Sequence, residues 1–176
     1  MPKRLYKWIS DNERRLKRPK AVMPGMVSLG SDCTGLDTVA VAAEKIGLRA
    51  VVEFASEVDP QTRKLLLRQR HRPRVLYHDM MLRSPEAVPA VQIYTCGFPC
   101  QPVSTQGLNR GAKDPRSKVL PSAFRYIAAQ RPAVVVMENV KGLLAKKHRR
   151  FFKRICSRRS IETSQLMYAM AHYSLA

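Results

Sequence analysis

Three successive valines in the run AVVVM, residues 133–137, constrain this chain more than any other feature. Adjacent β-branched residues put apolar side chains on both sides of a strand. A strand of that kind belongs inside a sheet covered on both faces. Such sheets are parallel, and parallel strands need long crossovers, usually helices. The rest of the chain supplies them. MVSLG (26–30), AVVEFAS (50–56), RVLYHD (74–79) and VQIYTC (91–96) read as strands. Leu36, Val39, Ala40, Ala43 and Ile46 form a helical stripe within 34–46, closed by Gly47. DPQTRKLLLRQR (59–70) starts a helix well, with Asp59 as N-cap and Pro60 in the first turn. A further helix is expected over 117–130, with Val119, Leu120, Ala123, Phe124 and Ile127 on one side. The alternation predicts the α/β class, as an open, mostly parallel, Rossmann-like sheet with helices on both faces.

The body of this unit runs over residues 23–160, between a basic arm (1–22) and an atypical tail (161–176) in which QLMYAMAHYSLA offers at most one short helix or strand. With no further strand, the AVVVM strand would lie at an open edge despite a composition that asks for cover. The stretch 97–116 has no period, and a loop of that length in a compact domain is usually functional or disordered.

Charge narrows the partners. The formal net charge is +19, and residues 1–20 and 141–159 together carry +15 of it. That balance favours polyanions, nucleic acid or an acidic membrane surface. No apolar stretch reaches 18 residues, so no spanning helix is expected, and no apolar region follows the basic N-terminus as in a signal peptide. The four cysteines at 33, 96, 100 and 156 read as free thiols of a reducing, intracellular compartment. RRLKRPK (14–20) reads as a nuclear address or as a solvated or DNA-facing arm, so the setting is the nucleus in a eukaryote and otherwise the cytoplasm. KKHRRFFKRICSR (146–158) is a basic helix candidate with Phe151, Phe152 and Ile155 facing in. Its charged side suits phosphates or simply solvent.

Open α/β sheets bind ligands beyond the carboxyl ends of their strands. SLGSDCTG (28–35), SEVD (56–59), HD (78–79), CGFPCQPVS (96–104) and ENV (138–140) all fall there. Glu57 suits a ribose diol and Asp79 an exocyclic amine, both adenosine-type contacts. A pyrophosphate cradle would need G-x-G-x-x-G, which LGSDCTG lacks. Cys100, held between Pro99 and Pro102, reads as an exposed nucleophile or as a buried structural thiol. Cys96 and Cys100 lack a second ligand pair for zinc, so no metal is expected. Glu138 follows the neighbouring strand and could face the same cleft.

Together, GFPCQPVS (97–104) and ENV (138–140) resemble the C5 cytosine-specific DNA methyltransferase family. SLGSDCTGLD (28–37), SEVDP (56–60) and HDM (78–80) resemble its cofactor segments. The likeness covers residues 25–144, the N-terminal part of a catalytic domain. It implies methyl transfer from S-adenosyl-L-methionine to C5 of cytosine, with Cys100 adding covalently to C6 and Glu138 contacting N3 and the amine. It implies cofactor contacts at Leu29, Gly35, Leu36, Glu57, Val58, Asp79 and Met80, and substrate contacts at Pro99, Gln101, Ser104 and Asn139. DNA is the implied partner. Two departures stand out. Gly30 occupies the family's usual aromatic position, and Asp32 and Thr34 replace two glycines. The Q-x-R-x-R segment and target-recognition region are not found, so the sheet is expected to stop short of its C-terminal strands. A complementary polypeptide could then supply the rest. Alternatives are a noncatalytic basic nucleic-acid-binding protein on this fold, or an RNA cytosine-5 methyltransferase.

Overall fold

A computed structural model describes residues 25–99, 119–140, 143, 145–150, 153 and 166–171, with Val140 and the last six by their backbone. The arm, Cys100, Gln101 and Ser104, and Phe151, Phe152 and Ile155 lie outside the described residues.

Six strands form one sheet: β1 (Val27–Asp32), β2 (Ala50–Ser56), β3 (Val75–Tyr77), β4 (Ile93–Cys96), β5 (Val134–Val140) and β6 (Leu166–Ala171). Their order is β3-β2-β1-β4-β5-β6, and every neighbouring pair is parallel. Helices α1 (Thr38–Lys45), α2 (Pro60–Leu66) and α3 (Val119–Gln130) lie in the crossovers. The sheet runs outward in opposite directions from β1 and β4, so the crevice above their carboxyl ends is the natural ligand site.

Alternation along the strands divides the core. Val27, Leu29, Val52, Ile93 and Val134 pack with Ala40 and Ala43 of α1. Phe54, Tyr94, Val135 and Met137 pack with Leu120, Ala123, Tyr126 and Ile127 of α3. Gly30 belongs to the second side. The Phe54 ring lies against its Cα and leaves no room for a Cβ. An aromatic ring from β2 thus presses on the position from which the family's usual aromatic is missing.

Helix α2 starts as the sequence requires, with the Asp59 carboxylate accepting from the Thr62 amide at 2.7 Å. It closes at Leu66, four residues short of the expected end, through turns that join Arg68 to Leu65 and Gln69 to Leu66. Helix α1 begins at Thr38 rather than Thr34. Leaving β1 takes left-handed backbone at Cys33, Gly35 and Asp37, which a helix cannot contain.

The largest correction concerns β5. It was expected to be an open edge ending at Met137, yet it runs on through Glu138, Asn139 and Val140, paired with Ala169, Met170 and Ala171 of β6. The tail supplies the missing ladder. Pairing extends the strand by three residues, and Glu138 stands in the last turn of the pleat rather than in a following loop.

Candidate functional site

At the tip of β2, Glu57 is anchored from two sides. Its carboxylate accepts from the Gly35 amide at 2.9 Å and from the Asp59 amide at 2.9 Å. It therefore joins the loop after β1 to the start of α2, and each oxygen keeps a second lone pair for a hydroxyl. At the tip of β3, Asp79 closes a turn by accepting from the Met81 amide at 2.8 Å. In the segments after β1 and β2, Leu36 is 48% exposed and Val58 58% exposed, apolar groups left open to solvent. Gly35 has φ +56°, and a Cβ there would meet nothing within 4 Å, so the backbone fronts open space. Met80 is buried, with its sulfur 3.8 Å from the Cys33 thiol. Leu29, also expected at the cofactor, is likewise buried, its side chain packed with Ala40 and Ala43 of α1.

A second group forms where β4 and β5 end side by side. The chain leaves Cys96 through Gly97, whose amide donates to the Asp32 carbonyl at 3.3 Å. A Cβ on Gly97 would stand 3.2 Å from Glu138 Oε2, so glycine lets this carboxylate lie directly over the backbone of the GFPC segment. The Asn139 side-chain amide donates to the Phe98 carbonyl at 2.8 Å, and both residues are buried. Two successive residues of β5 thereby lie against Gly97 and Phe98, on the approach to Cys100. Burial raises the Glu138 carboxyl above the usual carboxylate range. Such a group holds its proton more readily and can donate it to an acceptor. Asn139, expected at the substrate, faces inward. Pro99 is half-buried at the end of the described segment.

Beneath both groups lies a buried polar network that sequence reasoning did not single out. The Arg83 guanidinium contacts Asp32 Oδ2 at 2.6 Å and the Ser56 hydroxyl, and the Tyr94 hydroxyl donates to the same Asp32 oxygen at 2.7 Å. The cation stands 4.9 Å from the ring centres of Phe54 and Tyr77. The available signal was Asp32 itself, an acid at the end of a buried strand, which calls for a cation from elsewhere in the chain. Farther out, Lys146, Lys147, Arg149, Arg150 and Lys153 are exposed around a buried His148.

Comparison with known proteins agrees with this fold. A family model described as C-5 cytosine-specific DNA methylase matches residues 26–162. The type II methyltransferase M.FnuDI of Fusobacterium nucleatum is 31% identical over 123 residues, covering 70% of this chain and 34% of that protein. M.HgiCII of Herpetosiphon aurantiacus is 29% identical over 108 residues, covering 60% and 25%. The chain thus spans only a quarter to a third of the length of these relatives. Among solved structures, a DNA modification methyltransferase encoded within an E. coli prophage superposes with TM-score 0.58 at 18% identity, over 74% of this chain and 36% of its own. The S. pombe Dnmt2 methyltransferase gives 0.56 at 18%, over 73% and 41%. At that identity the structures speak for the fold.

Proposed function

Because the chain belongs to the C-5 cytosine-specific DNA methylase family, we propose that it carries the cofactor and nucleophile half of a DNA cytosine-5 methyltransferase. The observation that carries this reading is the grip of Glu138 and Asn139 on Gly97 and Phe98, immediately before Cys100.

S-adenosyl-L-methionine fits the residues present. Glu57 and Asp79 offer carboxylates to ribose hydroxyls and an adenine amine, Leu36 and Val58 offer apolar surface, and the space over Gly35 admits close approach. When bound, this cofactor supplies an electrophilic methyl group. The chain's own residues act on the pyrimidine. The target base has to leave the stack, since C6 cannot be reached inside a duplex. The Cys100 thiolate forms a bond to C6, which turns C5 into a nucleophile. Glu138, beside N3 and the amine, offsets by hydrogen bonding or proton donation the charge that gathers on the ring as that bond forms. After methylation, loss of the C5 proton and breakage of the Cys100–C6 bond restore the aromatic ring and the free thiolate.

The test uses duplex DNA carrying 5-fluorocytosine together with S-adenosyl-L-methionine. Fluorine cannot leave as a cation, so the covalent adduct persists. We expect a denaturation-resistant protein–DNA species that is absent in Cys100→Ser. A folded parent chain that forms none would rule the reading out.

A second reading, a noncatalytic nucleic-acid-binding protein, is favoured by the exposed Lys146, Lys147, Arg149, Arg150 and Lys153 and by the altered loop at Asp32 and Thr34. In that case Cys100→Ala and parent would bind DNA equally and neither would bind cofactor. The curated relatives cited are bacterial. They lend weight to the cytoplasmic alternative and none to a nuclear address or a complementary polypeptide.

A further inference from the structure

We infer that Arg83 is a positioning residue for the cofactor site, a single guanidinium bracing the three segments that would hold S-adenosyl-L-methionine. The inference rests on the cofactor reading above. Both polar partners of Arg83 stand one residue from such a segment. Asp32, 2.6 Å away, immediately precedes the Cys33–Thr34–Gly35 turn. Ser56, the second partner, immediately precedes Glu57. Arg83 itself follows the Asp79–Met80–Met81 turn by two residues, so its own backbone carries the third segment. Tyr94 reaches the same Asp32 oxygen at 2.7 Å from β4, whose end starts the GFPC segment.

The chemistry of the brace is specific to arginine. Its planar fork serves two partners at once, and its flat faces lie against aromatic rings. Here the guanidinium carbon is 4.9 Å from the Phe54 and Tyr77 ring centres and 5.8 Å from that of Tyr126. The Arg83 side chain is 8% exposed and that of Asp32 is 0% exposed, so water does not compete for the pair. The departure at Asp32 thereby acquires a role. The carboxylate that stands in place of a glycine is fully buried, on the side of Tyr94, and anchors the cation there. Spacing between Glu57, Asp79 and the Gly35 turn is then set by one rigid group.

The experiment titrates S-adenosylhomocysteine by calorimetry into the parent chain, Arg83→Lys, the paired variant Asp32→Asn/Arg83→Met, and Glu57→Gln. The paired variant removes both charges, so no lone ion is left buried. Matched unfolding midpoints and unchanged affinity for a DNA duplex at fixed salt identify an intact fold. We expect the paired variant to bind S-adenosylhomocysteine at least about tenfold more weakly than the parent, with Arg83→Lys between them and DNA affinity unmoved. Equal affinity in parent and paired variant would overturn the inference. If the paired variant fails to fold, Arg83→Lys decides alone, weaker cofactor binding with unchanged DNA affinity supporting the brace and parental binding refuting it. A folded parent that binds no S-adenosylhomocysteine, with Glu57→Gln no different, would defeat the cofactor reading and this inference together.

Discussion

Asp37 shows how much the exit from β1 demands of single residues. Its backbone is left-handed, with φ +50°, at the residue before α1, and its side chain is 2% exposed without capping the helix. Burial pushes its carboxyl up to about 6, and a backbone contact at Ala40 and the charge of His71 pull it only partly back. The sign of the consequence is fixed by linkage. Between the unfolded value near 3.8 and about 6, the folded chain binds the extra proton, so stability falls as pH rises through that window and stays low above it. The full excursion is on the order of 3 kcal/mol. Asn tolerates the left-handed conformation and carries no charge. Asp37→Asn should therefore raise stability at pH 7.5 by about 1–2 kcal/mol, with the gain vanishing near pH 4. Urea unfolding at the two pH values measures this, and an equal effect at both would contradict it. None of this was legible in LDTV, which reads as part of the helical stretch 34–46. Neither was Arg83, because its partner lies 51 residues away and MLRSPEA has the composition of any surface loop.

At the scale of elements, the strands β1 to β5 were readable because each is an apolar run bounded by turn residues, and the grouping of acids and the thiol at their carboxyl ends followed from that. Strand ends were not readable, since they depend on neighbours. β5 gains Glu138, Asn139 and Val140 because β6 pairs with them. LMYAMA is short and apolar with no period that separates helix from strand. Its role as cover for the valine strand is testable. Tyr168→Pro/Ala169→Pro substitutes two adjacent residues, one of which directs its N–H at β5 whatever the phase of the ladder. Losing that bond costs about 1 kcal/mol. The larger expected effect is an opened β5 edge and concentration-dependent association in light scattering. A variant that stays as monodisperse as the parent would show that β6 does not protect the sheet.

For the whole molecule, charge and fold divide the work. The sheet between β1 and β5 carries the residues proposed to meet cofactor and base, and most of the +19 lies in the flanking segments. Association with DNA should therefore fall steeply with salt, and log K against log[salt] should be linear with slope about −0.9 per phosphate neutralised. Replacing Lys146, Lys147, Arg149 and Arg150 by Ala should flatten that slope by about 3–4 while leaving S-adenosylhomocysteine binding unchanged. An unaltered slope would assign those side chains to solvent. The charge of this segment was plain in the sequence. That His148 turns inward among them was not, because burial of one imidazole in a basic run leaves no compositional trace.

The parallel order of the sheet has a consequence for synthesis. Ser28 on β1 is tied to Gln92, just ahead of β4, across 64 residues, and β1 is made before the other strands of the described sheet. At ordinary elongation rates it waits roughly 3–13 s for that partner. During this interval the future centre of the sheet is a nascent strand with one side unclaimed. The pace of translation between β1 and β4 then sets how long that side stays open.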